Sequence, residues 1–168
     1  RSDDIAAHIS TTTGLPFTPT RERAIGGGCI NETSLLEGDG QRYFVKRNDA
    51  SRLDMFVAEA AGLAELARAN AVRVPQPVCF GTTRDSAFLV LEYIPLSGRG
   101  GDAREFGRRL AALHRVTGER YGWHRDNTIG ATAQINTPSD NWVAFWRAHR
   151  LGYQLELAAR NGGRRLQD

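Results

Sequence analysis

Lysine is almost absent from this 168-residue chain, in which one lysine stands among 21 arginines, and cysteine occurs only twice. Cys29 and Cys79 lie 50 residues apart and form no Cys-x-x-Cys motif. This argues against a disulfide framework or a zinc site and suits a reducing compartment. No apolar run approaches the roughly 18 residues of a membrane span, and the N-terminal RSDDIAAHIS lacks an apolar signal core. We therefore predict a cytoplasmic protein with no membrane partner.

The charged residues are ordinary in number and evenly distributed. The formal net charge is +3 and the sequence pI is about 9.2, which would permit an anionic partner. The arginines are nevertheless spread along the whole chain, neither gathered in a block nor interleaved with aromatic residues. This distribution predicts a solvated surface and no nucleic-acid partner.

The order of the predicted elements indicates an α+β protein. A short helix precedes five strands, a long helix is inserted after the third strand, and Gly38-Asp39-Gly40 favours a hairpin between strands two and three. We predict a sheet domain at 1–94, a linker at 95–101 and the start of a helical domain at 102–168. The predicted strands are 20–25, 30–38, 41–47, 77–83 and 86–94; the predicted helices are 3–12, 51–70, 102–116 and 137–163, with a polar loop at 121–136.

Particular residues are expected to bound the helices. Ser51 is the predicted N-cap of helix 51–70, and Asn70 its end. Thr137 is the predicted cap of the last helix, with Pro138 at its first position and Gly162 at its end.

The predicted helices 102–116 and 137–163 each have an apolar side. We expect helix 102–116 to bury Phe106, Leu110 and Leu113. The last helix has no later partner helix in the sequence, so we predict self-association through its apolar side if these residues are the whole polypeptide. That side consists of Trp142, Phe145, Trp146, His149 and Tyr153.

The single lysine ends the third predicted strand and belongs to a pattern that favours phosphate binding. Gly26, Gly27 and Gly28 occupy the first strand-to-strand turn, where glycine lets the backbone approach an anion with its N–H groups. Lys46 follows 18 residues after Gly28, and Glu59 follows 13 residues later in the long helix. We predict an ion pair that holds the Lys46 ammonium against phosphates. The fork-shaped guanidinium of arginine would be a poor substitute.

By itself the glycine turn is a weak signal. It matches only part of the G-x-G-x-x-G pattern, because Asn31 stands at the third glycine position, and the Walker A motif is absent.

The end of the fifth strand is a second part of the predicted nucleotide site, since in a two-lobed nucleotide site this junction supplies backbone groups to the edge of adenine. We expect Glu92, Tyr93 and Ile94 to form the junction.

This order of elements is similar to that of a protein-kinase-like N-lobe, which has a five-stranded antiparallel sheet and an αC-type helix. The chain resembles the fructosamine (ketoamine) kinase family over about residues 3–160. The kinase-like segments, shared with aminoglycoside and choline phosphotransferases, are GGGCIN, YFVKRN, MFVAEAAGLAEL, VPQPV, LVLEYI and LAALHR. The segment 121–155, with Tyr-Gly-Trp, Gln-x-Asn and the pattern from Trp142 to Leu151, narrows the choice to ketoamine kinases.

The resemblance implies ATP and Mg²⁺ as cofactors and ketoamines, the adducts of sugars on protein amines, as substrates. Phosphorylation of the sugar 3-hydroxyl makes the adduct labile, so the amine is recovered. Carried over by position, the three glycines would cover the phosphates, Glu59 would orient Lys46, and residues 92–94 would frame the adenine. Two alternatives stay open: a small-molecule phosphotransferase of the aminoglycoside or choline type, and a nucleotide-binding fragment without catalysis.

The catalytic part of the family pattern is missing. Neither its His-Gly-Asp-Leu segment followed by Asn nor its later Mg²⁺-binding Asp occurs, so we predict no catalytic residue and no metal ligand here. His124-Arg125-Asp126 spells the protein-kinase triplet, but Ala131 stands where that motif needs Asn, and the triplet precedes the long helix. We expect the chain to be the N-terminal half of a bacterial-type ketoamine kinase, inactive on its own.

We expect different environments for the two cysteine thiols. Cys29 lies beside the glycines and is either a small buried residue or a redox-active thiol whose oxidation would distort phosphate binding, with a second chain as one disulfide partner. Cys79, in a strand, is expected in the core.

Overall fold

The computed structural model describes residues 2–26 and 30–163. The helices are α1 (Ser2–Thr13), α2 (Leu53–Arg68), α3 (Ala103–His114), α4 (Trp142–Trp146) and α5 (Tyr153–Arg160), with a 3-10 turn at Ala50–Arg52 and a π-helical segment at Arg147–Gly152. The strands are β1 (Arg21–Ala24), β2 (Glu32–Gly38), β3 (Gln41–Asp49), β4 (Pro77–Thr82), β5 (Ser86–Glu92), β6 (Asn127–Ile129) and β7 (Thr132–Gln134).

The first five strands form one antiparallel sheet in the order β1-β2-β3-β5-β4. The turn between β2 and β3 places Asp39 and Gly40 at φ 49° and 73°, the backbone that a tight hairpin requires. The Asp39 carboxylate accepts a hydrogen bond from the N–H of Thr18 at 2.7 Å. The predicted α+β class and five-stranded sheet are confirmed.

Side chains of β3 alternate between two hydrophobic cores, one on each face of the sheet. Val45 lies on the α1 face, where α1 buries Ile5 and Ile9 completely. Phe44 lies on the α2 face, where α2 buries Phe56. Each fully buried side chain of this size contributes about 1.5–3 kcal/mol to folding, so the sheet is held from both sides.

The beginning of α2 differs from the prediction. Asp49, not Ser51, supplies the cap: its carboxylate accepts from the backbone N–H of Ser51 at 2.9 Å and so starts the 3-10 turn that precedes α2. A carboxylate two residues upstream competes well for this N–H. The predicted end is confirmed, because Asn70 adopts φ 48° directly after the last turn.

The predicted buried side of α3 is wrong, because none of its three residues is buried and Leu113 is only half-buried. Asp102 caps the helix by accepting from the N–H groups of Arg104 and Glu105. Phe106 and Leu110, however, are 55% and 37% exposed. Helical periodicity identifies the apolar side of a helix but does not show that described residues cover it.

A hairpin of β6 and β7 lies inside the region predicted to be a loop. Its strands have three residues each, too short for an alternating pattern to be recognised. Gly130 makes the turn at φ 60°.

The last helix starts later than predicted. Tyr121 and Ser139 exchange two backbone hydrogen bonds of 2.9 Å, which draws the segment with Thr137 and Pro138 into a bridge instead of a helix. Asn141 is the N-cap, and its side-chain oxygen accepts from the N–H of Ala144 at 2.9 Å. The predicted end is confirmed, since Gly162 at φ 92° follows the final turn.

The chain divides into two compact units, Arg1–Val116 and Thr117–Asp168. The predicted boundaries at 94 and 101 stay predictions. Among the described residues, no helix is both long and apolar enough to cross a membrane.

Candidate functional site

Lys46 and Glu59 form an ion pair on the α2 face of the sheet. The Lys46 Nζ lies 2.7 Å from Oε1 and 2.8 Å from Oε2 of Glu59. Lys46 shares this face with Phe44, two residues earlier on β3, and α2 brings Glu59 to it by packing Phe56 and Ala60 against the sheet. The predicted contact between the two residues is confirmed.

The pair is accessible from solvent and leaves bonding capacity unused. The side chains of Lys46 and Glu59 are 19% and 31% exposed. An ammonium has three N–H donors, and within residues 2–26 and 30–163 the carboxylate of Glu59 is its one hydrogen-bond partner. A held, partly exposed ammonium with a spare donor is suited to bind a phosphate oxygen.

Of the predicted glycine turn, only Gly26 is described. A Cβ built on Gly26 would meet no atom within 4 Å, so the space beside it is open. Gly27, Gly28 and Cys29 lie outside the described residues, and their predicted roles stay predictions. The flanking backbone is fixed, because the N–H of Ile25 donates to the Thr33 carbonyl at 2.9 Å and the Thr33 hydroxyl donates to the Ile25 carbonyl at 2.5 Å.

An apolar cleft of about 570 Å³ lies between β1, β3 and the segment that follows β5. Phe44 and Leu91 are directly opposite each other in the sheet register and line one wall together. Sequence reasoning missed both, although the two-residue spacing from Lys46 to Phe44 could have placed Phe44 on the same face. The cleft is lined by Arg23, Ile25, Phe44, Arg73, Pro75, Leu91, Glu92, Tyr93, Ile94 and Leu96.

The predicted junction residues line this cleft, but the Glu92 carboxylate is already engaged. It accepts from Arg73 at 2.6 Å and from the backbone N–H of Gln76 at 3.2 Å. The ring of Tyr93 lies under the guanidinium of Arg42, 5.1 Å from its centroid. Among the described residues, the backbone of Tyr93 and Ile94 has no hydrogen-bond partner, so the groups open to a ligand here belong to the main chain.

The triplet His124-Arg125-Asp126 has a structural setting in the second unit. Asp126 accepts from the backbone N–H of Asn136 at 2.8 Å, and the Arg125 carbonyl accepts from the Asn136 side chain at 3.1 Å. Asn136 is 3% exposed and also donates to Asn127 at 2.8 Å. Asp126 therefore fastens the base of the β6–β7 hairpin, and the expectation that it is not a catalytic base stays a prediction.

The π-helical segment joins the last helix to this hairpin. Its extra residue per turn brings Arg150 over the ring of Phe145, 4.8 Å from the centroid. Arg150 also donates to the Ile135 carbonyl and to the Asn136 side chain, both at 2.7 Å. Gly152 permits the turn, because a Cβ there would lie 2.5 Å from the Arg147 carbonyl oxygen. Burial lowers the pKa of the Arg150 guanidinium.

On the α1 face, Glu22 and Arg47 are paired within the fold. Burial disfavours ionisation of Glu22, but hydrogen bonds from Ser2 and Ser34 and the charge of Arg47 outweigh it and lower the Glu22 pKa. Burial raises the pKa of the Cys79 thiol to about 11. The prediction that Cys79 belongs to the core is confirmed. Within the described residues, no three His, Cys, Asp or Glu side chains form a group that could hold a metal ion.

Comparison with known sequences gives one family over the full chain. The profile described as "Fructosamine kinase" matches residues 1–168. A curated protein named "Probable ketoamine kinase" from Synechocystis is 47% identical over 162 residues, covering 95% of this chain and 55% of that protein. "Protein-ribulosamine 3-kinase, chloroplastic" of Arabidopsis thaliana is 38% identical, covering 94% of this chain and 49% of that protein. The chain spans about half the length of the curated relatives that it matches.

Two solved structures share the fold. The crystal structure described as "Putative fructosamine-3-kinase" from Haemophilus somnus has a TM-score of 0.87 at 30% identity, covering 94% of this chain and 54% of that chain. A second structure with the same description, from Thermobifida fusca, has a TM-score of 0.76 at 29% identity, covering 95% and 55%.

Proposed function

The chain belongs to the fructosamine kinase family, and we propose that it supplies the ATP-holding half of a ketoamine 3-kinase. Such an enzyme transfers the γ-phosphoryl group of ATP to the sugar 3-hydroxyl of a ketoamine, which makes the adduct labile and releases the amine. The observation that carries the proposal is the Lys46–Glu59 ion pair, with both carboxylate oxygens within 2.8 Å of one ammonium. Lys46 lies on the same strand and face as Phe44, which lines the apolar cleft.

The described residues fit a purine nucleotide. Ile25, Phe44 and Leu91 offer apolar surfaces to the two faces of a base, and the unpaired backbone of Tyr93 and Ile94 offers groups to its edge. Lys46 follows Phe44 by two residues, about 7 Å along the strand. A base in the cleft would therefore direct its phosphates toward the ammonium.

The role proposed for Lys46 is electrostatic. Its positive charge would offset the charge of the α- and β-phosphates, and Glu59 would restrict it to one orientation so that little entropy is lost on binding. When bound, Mg²⁺ would supply positive charge that offsets the charge of the nucleotide phosphates. We assign it no protein ligand among the described residues.

Transfer itself requires a catalytic base in addition to a bound nucleotide. A hydroxyl must lose its proton to a base within hydrogen-bond reach, and the His-Gly-Asp-Leu segment that the family resemblance assigns to this task does not occur in the sequence. We therefore propose that these 168 residues bind ATP but do not phosphorylate a ketoamine by themselves.

Calorimetry with the 168-residue chain tests the binding half of the proposal. We expect saturable binding of ATP and weaker binding of adenosine, because adenosine lacks the groups that meet Lys46. A coupled assay with a ketoamine should release no ADP above background. Absence of ATP binding would overturn the proposed nucleotide site. Turnover by this chain alone would overturn the proposal that it binds ATP without phosphorylating a ketoamine.

A further inference from the structure

Asn48 lies two residues after Lys46 on β3 and on the same face of the sheet. It is opposite Ala87, a member of the core under α2. Its side-chain NH₂ donates to the Ile30 carbonyl at 3.0 Å and to Asn31 Oδ1 at 2.8 Å. Its oxygen accepts from the N–H of Asp49 at 2.7 Å. Both amide hydrogens and the oxygen are thus in use.

These side-chain hydrogen bonds continue the pairing of β2 with β3 beyond the last backbone pair of the two strands. The last registered pair of the ladder is Glu32 with Arg47. Ile30 and Asn31 precede β2, so the strand hydrogen bonds do not hold them. Instead, the hydrogen bonds of the Asn48 side chain hold Ile30 and Asn31, which follow the glycine sequence, against β3.

We call the hydrogen bonds of Asn48 to Ile30 and Asn31 the tether. The residue type at position 31 explains why the tether can form. Asn31 stands where the G-x-G-x-x-G pattern has its third glycine, and glycine has no side chain that could accept from Asn48. On the other side of the glycine sequence, Thr33 fixes Ile25 through two hydrogen bonds. Both described flanks of the glycine sequence are therefore anchored.

We propose that Asn48, with Asn31 as its partner, is a positioning residue that sets the flank of the glycine sequence for binding of nucleotide phosphates. The proposal rests on the ATP site proposed above. Asn48 lies four residues beyond Phe44, about 13 Å along β3, so we expect these contacts to affect phosphate binding and to leave binding of the base unchanged.

Replacement of Asn48 by alanine, followed by calorimetry with ATP and with adenosine, tests this directly. We expect Asn48→Ala to raise the Kd of ATP about tenfold and to leave that of adenosine within about twofold. Gln41→Ala, which removes an amide side chain from the exposed start of the same strand, is the matched control and should change neither. A general loss of structure would weaken both ligands and lower the Tm.

An unchanged ratio of the two affinities in a folded Asn48→Ala protein would overturn the proposal. If that variant does not fold, Asn31→Ala removes a single acceptor of the tether; it should shift the ratio in the same direction by a smaller factor, and no shift would overturn the proposal. Failure of the unaltered chain to bind ATP would instead overturn the proposed nucleotide site, and this role of Asn48 with it.

Discussion

Lys46 and Arg47 are consecutive residues of β3, but their side chains lie on opposite faces of the sheet and have different surroundings. Arg47 Nη1 contacts Glu22 at 2.6 Å and Ser34 at 2.9 Å. Glu22 also accepts from Ser2 and Ser34, so this network is satisfied within the α1 face. Lys46 has one partner, Glu59, and keeps a donor that no described residue uses.

If Lys46 contacts phosphate as we propose, the difference would explain why an arginine-rich chain has a lysine at this position. A guanidinium suits a site in which several fixed acceptors surround it, because its donors diverge in a rigid fork. A compact ammonium suits a site that must contact one internal carboxylate and an external anion. We therefore expect the α1 face of β3 to stabilise the fold, and we propose that its α2 face binds the nucleotide.

Of the substitutions on β3 and α2, removal of the Lys46 ammonium should have the largest effect on ATP binding. Lys46→Ala is expected to raise the Kd of ATP by at least about tenfold, since the charge that meets the phosphates is lost. The free energy of unfolding should change little because Lys46 has a single, partly exposed partner, whereas Arg47 contacts both Glu22 and Ser34. Calorimetry and urea unfolding measure the two effects. Arg47→Ala is the neighbouring comparison, and an equal loss of ATP affinity in both variants would contradict the assignment of the faces.

Neutralising Glu59 should have a smaller effect on the same face. Glu59→Gln retains the size of the side chain and one acceptor but removes the charge that fixes the ammonium. We expect the Kd of ATP to rise about threefold to fivefold, measured by the same titration. Unaltered or tighter binding would show that Lys46 needs no orienting partner.

On the α1 face, loss of a charge should appear in stability. Arg47→Met retains the apolar stem and removes the donors to Glu22 and Ser34. It should lower the free energy of unfolding by about 1–2 kcal/mol, measured by urea denaturation at neutral pH. A matched change at exposed Arg52, Arg52→Met, should cost much less. Equal effects would mean that the hydrogen-bonded network of Arg47, Glu22 and Ser34 contributes nothing beyond a surface charge.

The smallest expected effect concerns the pH dependence of the α1 core. A raised Cys79 pKa means that the folded protein holds the thiol proton more tightly than the unfolded chain does. The resulting stability is fully present below about pH 9 and is lost as the pH rises toward about 11. Urea unfolding of the parent and of Cys79→Ala across this range should show the steeper decline in the parent. Parallel curves would contradict the burial of the thiol.

Sequence reasoning anticipated those features that depend on short-range periodicity or on a strong chemical pattern. The antiparallel hairpin follows from Asp39-Gly40, and the Lys46–Glu59 contact follows from a strand and helix that adjoin in sequence. The Asn48 tether was missed, because nothing in a local pattern shows which amide reaches a residue 17 positions away.

The last helix shows a second limit. Its apolar spacing predicts one continuous helix, but the Tyr121–Ser139 bridge delays its start. The π-helical segment then depends on the hydrogen bonds of Arg150 to the hairpin. Such long-range contacts override local propensity.

The substitution Lys46→Arg tests the central claim most directly, because it preserves the charge and changes only its shape. If β3 carries a lysine to place a compact ammonium between Glu59 and phosphate, calorimetry with the 168-residue chain should show the Kd of ATP rising at least about tenfold. Adenosine binding and the Tm should stay close to those of the parent. Near-normal ATP binding by Lys46→Arg would contradict the account and make Lys46 an ordinary basic residue of the surface.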